Sequence, residues 1–209
     1  MGVRGLDKGE RAALVINECQ NNMVNHEFAG NAGLAGEIQR RDVIANIAAL
    51  ATACREAGVL VVHSTIVPRR DGVGTIANSL LLGSLVKKGT VVEGSPGAEI
   101  HPELTPDERD FVLTRVHGLS PFHNTELEPV LRSWGATTVM ITGVSTNVGV
   151  PGACLEAVNR GFTVVVPEDC TAGAWQEAHE FQVTHTLPLL ATVTSSADVI
   201  KVLGSRSAA

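Results

Sequence analysis

The sequence predicts an α/β fold: a three-layer α/β/α domain around a mainly parallel, Rossmann-like sheet of six strands. Short apolar and β-branched runs alternate with helix-like segments, which is typical of a parallel sheet covered by helices on both faces. A chain of 209 residues with 44% apolar and 18% charged residues is also long and apolar enough to bury one full core. No repeat or long linker divides it, so residues 1–209 are predicted to form a single domain.

Six segments have the composition of strands, and the nearly continuous apolar run at 59–62 fits a strand buried on both faces. The predicted strands are Ala12–Glu18, Val59–Ser64, Phe111–Thr114, Thr137–Thr142, Thr163–Pro167 and Ala191–Thr194. In an open α/β sheet, ligands bind beyond the carboxyl ends of the strands. The residues at those ends are therefore the candidate site.

Helix-like segments separate these strands, and four of them end just before a glycine, the residue that most often closes a helix. The predicted helices are Asp42–Ala57, Thr125–Ser133, Val150–Arg160, Gln176–Leu189 and Ala197–Leu203, and the glycines are Gly58, Gly135, Gly161 and Gly204. The alternation stops between residues 65 and 110. Such a long excursion is usually functional, so we expect it to be a lid or a contact between subunits.

Composition excludes several classes of function. The net charge is −6 and no basic block is present, which argues against nucleic acid and anionic membranes as partners. No apolar run approaches the roughly 18 residues that span a bilayer. The four cysteines have no metal-ligand spacing and are expected to be reduced thiols of a cytoplasmic protein. We expect a small-molecule substrate, no metal or other cofactor, and a homodimer or homotetramer.

Four segments in order carry a resemblance to a known family. They are residues 13–21, 94–104, 115–127 and 143–169. In the first segment Glu18 comes two residues before Gln20, and the third contains a Ser-x-Phe-x-x-Thr-x-Leu pattern that ends in Leu127. The fourth has the pattern of a strand, a tight turn, a helix and a strand. Together they resemble the isochorismatase-like (cysteine hydrolase) superfamily. The resemblance implies a cofactor-free hydrolase and a non-proline cis peptide between Val144 and Ser145.

The chain departs from the family pattern at three positions. The usual aspartate is Glu18, the usual lysine falls on Val116 when counted without gaps, and the usual cysteine is Gly149. The Asp-Lys-Cys triad is therefore absent as such. A shift of the third strand by one residue would bring Arg115 or His117 into the place of the lysine.

The candidate catalytic residues are Glu18 and His117. A buried carboxyl without a cationic partner has a raised pKa and can act as general acid or base near neutrality; the alternative is a structural carboxylate. His117 can shuttle a proton. The candidate substrate-binding residues are Gln20, His63, Arg115, Phe122, Ser145, Asn147 and Gly149. Cys154 is expected to be a packed thiol rather than a nucleophile.

Three functions remain open. Family members that resemble this chain in having glycine at the cysteine position cleave a vinyl ether, which would require Glu18 to protonate the enol-ether carbon. The second function is hydrolysis of an amide, imide or lactam by water that Glu18 activates. The third is a binding homologue without catalysis.

Overall fold

A parallel sheet of seven strands forms the middle layer in a computed structural model that describes residues 2–28 and 32–206. All six predicted strands are present, with ends shifted by a residue or two. The prediction of six is wrong because a further strand of two residues lies beside β4, and so short a strand has no periodic signal in the sequence. The strands are β1 (Ala12–Asn17), β2 (Leu60–Ile66), β3 (Phe111–Arg115), β4 (Thr138–Val144), β5 (Thr163–Pro167), β6 (Thr171–Ala172) and β7 (Thr192–Thr194).

The strand order is β3-β2-β1-β4-β5-β7, with β6 paired to the end of β4. The chain moves outward from β1 through β2 to β3 and then returns to place β4 on the other side of β1. The direction of winding therefore reverses between β1 and β4. A crevice opens at such a reversal, beyond the carboxyl ends of the strands.

Eight α-helices are found in the described ranges. They are α1 (Asn21–Val24), α2 (Ala32–Arg40), α3 (Val43–Glu56), α4 (Leu80–Lys88), α5 (Leu127–Trp134), α6 (Gly149–Asn159), α7 (Gln176–Phe181) and α8 (Ser196–Arg206). None of them is long and apolar enough to cross a bilayer. The five predicted helices correspond to α3 and α5 to α8.

The sheet has a hydrophobic core on each face, because successive side chains of a strand point to opposite sides. In β1, Leu14 and Ile16 pack into one core, and Ala13 and Val15 into the other. The first core is covered by α2, α3 and α8, and the second by α5 and α6. This arrangement confirms the predicted three layers.

Two helix ends differ from the prediction. The segment predicted as one helix, Gln176–Leu189, is helical throughout but changes from α to π and then to 3₁₀ winding near Pro188, which has no N–H to continue the α-helical pattern. Gly204 lies inside α8 and does not end it. Gly58, Gly135 and Gly161 have the left-handed φ expected of helix-ending glycines.

The excursion between residues 65 and 110 contains one helix that the sequence did not predict. The Ser79 hydroxyl accepts the Leu82 N–H at 3.2 Å and opens α4, and left-handed Gly89 closes it. Only Leu82 of α4 is buried, whereas Leu80 is 93% exposed. The helix was missed because it spans only 9 residues and contains Gly83, a residue that weakens a helix.

Candidate active site

The carboxyl ends of β1, β3 and β4 bring together a carboxylate, a guanidinium and a tight turn. Glu18 follows β1 with a left-handed φ of 53°, an uncommon conformation for a residue with a side chain. Its N–H donates to the Ser64 carbonyl at 2.8 Å, which fixes the backbone at the strand end. Its side chain is only partly exposed and accepts a hydrogen bond from Arg115.

Arg115 is the last residue of β3 and is 4% exposed. Its Nη2 pairs with the Glu18 carboxylate, and its Nη1 donates to the Ser64 hydroxyl at 3.1 Å. The gap-free count that put Val116 at the lysine position is corrected, because Val116 faces outward beside Gly74. Arg115, which a shift of the third strand by one residue would bring to the lysine position, is the residue that faces Glu18.

The turn after β4 supplies the next part of the site. The Val144–Ser145 peptide is cis, as the resemblance implied. The N–H groups of Val148 and Val150 both donate to the Ser145 carbonyl, at 3.2 and 3.0 Å. Within residues 2–28 and 32–206, the N–H groups of Ser145 and Gly149 have no acceptor. Gly149 is the first residue of α6, so these amides lie at a helix N-terminus, where partial positive charge favours an anion.

A pocket of about 140 Å³ opens beside Glu18 and Ser145. Lys88 is also among the residues that line it. Its walls are apolar and come from β2, α2, α4 and the segments after β1, β3 and β4: Met23, Leu34, Ile66, Leu81, Leu82, Leu85, Leu119 and Val144. A charged pair at the edge of a small apolar pocket is the usual anatomy of a small-molecule site.

Asn17 is a site residue that the sequence analysis missed. It is fully buried at the end of β1, and its Nδ2 donates to the Val144 carbonyl at 2.6 Å. A Cβ at Gly149 would lie 2.9 Å from that carbonyl and 3.0 Å from Nδ2. The place of a side chain at position 149 is therefore already filled. The sequence signal that could have identified Asn17 is a polar residue directly before Glu18 in an otherwise apolar strand.

Gln20, predicted to bind substrate, has its side-chain amide bonded to the backbone in this structure. Its side-chain Nε2 donates to the carbonyls of Ile66 and Ala98, and its Oε1 accepts the Ile66 N–H at 2.9 Å. It is fully buried. Gln20 thus ties the excursion to β2, and no polar group of it is left for a ligand.

His63 and Phe122 do not line this pocket, and their contact with substrate stays a prediction. His63 is buried on β2, with Nε2 3.1 Å from the Asp110 carboxylate, and Arg55 pairs with the same carboxylate. Burial lowers the pKa of His63, although Asp110 acts in the opposite direction. Phe122 packs in the second core against Phe162, their ring centroids 6.3 Å apart.

His117 and Asn147 serve neighbouring loops. The Nδ1 of His117 accepts the Ile76 N–H at 3.3 Å and His117 does not line the pocket, so its catalytic role stays a prediction. The Oδ1 of Asn147 accepts the Ala174 N–H at 2.7 Å, so Asn147 fastens the turn rather than facing a ligand. Of the predicted residues, the structure brings Glu18, Arg115, Ser145 and Gly149 together.

The described part of the chain holds no exposed thiol and no group of three or more side chains with metal-binding chemistry. Burial raises the pKa of Cys154 and of Cys54 to about 12. Burial also raises the pKa of Cys19 and of Cys170 far above the ordinary value. The thiolate is the nucleophilic form, so these side chains are inert at neutral pH.

The isochorismatase domain family matches residues 12–198. The chain belongs to the isochorismatase family. An uncharacterized isochorismatase family protein YecD of Escherichia coli O157:H7 is 35% identical over 82 residues, which are 39% of this chain and 44% of that relative. Maleamate amidohydrolase of Pseudomonas putida is 31% identical over 137 residues, 64% of this chain and 61% of the relative. The chain thus matches only about half the length of these relatives.

A solved isochorismatase family protein from Desulfovibrio vulgaris has the same fold. It superposes with a TM-score of 0.81 at 25% identity, over 94% of this chain and 100% of the other. The fold similarity therefore covers the sheet, both helical layers and most of the excursion. As a family member, the chain is classed with hydrolases.

Proposed function

We propose that this isochorismatase-family chain hydrolyses a carbon–nitrogen bond of a small amide, imide or lactam by direct attack of water. The observation that carries the proposal is the ion pair between Glu18 and Arg115 at the edge of an apolar pocket. The premise of an unpartnered buried carboxyl, which suggested a general acid, does not hold. The Glu18 carboxylate beside Arg115 can accept a proton from water as a general base.

The proposed reaction needs no covalent intermediate. Glu18 takes a proton from water as the water oxygen attacks the acyl carbon. The carbonyl electron pair moves to oxygen, and the unpaired N–H groups of Ser145 and Gly149 supply donors for that oxyanion. When the C–N bond breaks, Glu18 returns its proton to the departing nitrogen, so that a carboxylic acid and an amine are formed.

The name of one relative supports this bond type. Maleamate amidohydrolase is an amidohydrolase by its name, and its match covers nearly two thirds of this chain. The pocket is compatible with a small apolar acyl group, because leucines of α4 line one wall. Lys88 lies at the same pocket and provides a positive charge for a carboxylate on the substrate.

The experiment measures ammonia or amine release from a panel of small amides that includes maleamate, and formation of the ring-opened acid from cyclic imides and lactams. Glu18→Gln is expected to lower kcat by about 10²- to 10⁴-fold, because general base catalysis is lost. Glu56→Gln, on the exposed surface of α3, is the matched control and should leave kcat unchanged. Full activity of Glu18→Gln would reject the proposal.

A second candidate is hydrolysis of a vinyl ether, supported by the absence of any side chain at Gly149. That reaction needs no nucleophilic side chain: Glu18 would protonate the enol-ether carbon, water would attack the oxocarbenium ion, and collapse of the resulting hemiketal would break the C–O bond and release pyruvate. Release of pyruvate from isochorismate, lost in Glu18→Gln, would favour it over the amide reaction. Tight binding of a panel compound without turnover would instead indicate a binding homologue.

We also propose that the chain forms a homodimer or homotetramer through part of the excursion. Several apolar side chains there are exposed: Val73, Ile76, Leu80, Leu81 and Val86. Burial of such a patch against another copy would remove it from water. Light scattering during size-exclusion chromatography tests this, and a monomer at high concentration would contradict it.

A further inference from the structure

A buried imidazole lies directly behind the turn of the candidate active site. His179, on α7, is 2% exposed, and its Nδ1 is 3.2 Å from the hydroxyl oxygen of Thr146. Thr146 is itself fully buried and follows Ser145 in the chain. A hydrogen bond between two buried side chains is thus made at the centre of the turn.

The other ring nitrogen of His179 faces a carboxylate. Its Nε2 is 3.6 Å from Glu168 Oε2, and Arg41 donates to the same oxygen. Arg41 also donates to the backbone carbonyls of Glu168 and Thr171, which fixes the carboxylate in place. The contacts with His179 and Arg41 hold the pKa of Glu168 below its ordinary value, although burial acts in the opposite direction.

A hydroxyl, an imidazole and a carboxylate in contact in this order are the groups that a nucleophile and its general base would need. Thr146, however, is not placed to attack a substrate. The hydroxyl is sealed inside the protein and packs so closely against Gly173 that a Cβ there would lie 2.6 Å from it. Because Glu168 lies on the Nε2 side, the ring favours a proton at Nε2, and Nδ1 then accepts the Thr146 hydroxyl hydrogen.

Hydrogen bonds to buried groups therefore hold the turn in place. The Thr146 N–H donates to the Ala172 carbonyl at 2.9 Å, and Asn147 accepts from Ala174. The residues on either side, Ser145 and Gly149, carry the unpaired N–H groups. We infer that His179 is a positioning residue that acts through the Thr146 hydroxyl to hold these two N–H groups in the geometry that the reaction requires.

The inference rests on the proposed function, and its test separates the two. Thr146→Val removes the hydroxyl at nearly constant shape and is expected to lower kcat by about ten-fold or more with little change in KM, since small displacements of a catalytic donor are costly. Thr146→Ser restores the hydroxyl and should recover most of the lost turnover. His179→Gln should resemble Thr146→Val. Thr138→Val is the matched control, because Thr138 is a buried threonine at the start of β4 whose hydroxyl donates to the Gly5 carbonyl instead.

Amide proton–nitrogen correlation spectra of isotope-labelled protein provide a readout that needs no turnover. The Ser145 and Gly149 resonances are expected to move in Thr146→Val and to stay in place in Thr138→Val. If the wild type hydrolyses none of the substrates, the proposed function fails and the spectra alone decide this inference. Unmoved resonances, or a Thr146→Val enzyme with undiminished kcat, would overturn it.

Discussion

The side-chain amide of Asn17 lies 3.0 Å from the point where a Cβ on Gly149 would stand. The Val144 carbonyl, which accepts a hydrogen bond from that amide, lies 2.9 Å from the same point. The space that a side chain at position 149 would occupy is therefore already taken by these two groups. A cysteine side chain there would need Asn17 or the backbone of the turn to move.

Substitutions at Gly149 test this relationship. Gly149→Ala and Gly149→Cys are expected to destabilise the protein by about 1–3 kcal/mol, because they overpack a filled site. Gly152→Ala is the control in the same helix: a Cβ there would meet its nearest atom at 4.0 Å, so the change should be neutral or stabilise by about 0.5–1 kcal/mol. Urea unfolding measures both. Equal stabilities of the two alanine variants would contradict the packing argument.

Arg115 is expected to resist replacement by lysine. The guanidinium contacts Glu18 and the Ser64 hydroxyl through different nitrogens, and one ammonium group cannot reproduce that forked geometry. Arg115→Lys should therefore lower kcat/KM by about ten-fold or more. Arg109→Lys, at an exposed arginine before β3, serves as the control. Wild-type kinetics in Arg115→Lys would show that only the positive charge matters.

His63 makes stability depend on pH. Because burial keeps the folded-state pKa of His63 below its ordinary value of about 6.5, the unfolded chain binds more protons as the pH falls through that value. The free energy of unfolding is therefore expected to fall with decreasing pH below about 6.5. Urea midpoints of the wild type and His63→Gln, compared from about pH 8 to about pH 5, measure the effect. A wild-type slope no steeper than that of the variant would refute this assignment.

The four thiols are expected to be unreactive in the folded protein. Burial raises the pKa of Cys154 to about 12, so almost no thiolate is present at neutral pH. Ellman's reagent should react slowly with native protein and rapidly after denaturation. Cys154→Ala should keep its turnover. An adduct at Cys154 together with loss of activity in the variant would revive covalent catalysis.

The sheet and its helices could be predicted because buried strands and the glycines after helices leave local signals. The site could be predicted only in part. Glu18 was found from its place at a strand end, but its pairing with Arg115 depends on the register between β1, β2 and β3, which no local pattern encodes. Gln20 and Phe122 lie in segments that resemble the family, but the side-chain amide of Gln20 bonds the backbone and the ring of Phe122 packs in the second core.

The network behind the turn was missed for the same reason. His179 and Thr146 are 33 positions apart in the sequence and meet only because α7 packs against the end of β4. Asn17 was overlooked because the acid next to it drew the functional interpretation. His179, Thr146 and Asn17 are all buried polar residues, and their hydrogen-bond partners can be identified only from the three-dimensional structure.

Helix α4 supplies leucines to the pocket while most of its own surface remains in solvent. Substitutions at Leu81, Ser84 and Leu85 would therefore disturb little of the core that holds the sheet together. The acid, the guanidinium and the turn, by contrast, are built into strand ends. Selection can thus change which molecule enters the pocket by altering a few positions of one surface helix, at small cost in stability, while the reacting groups stay fixed.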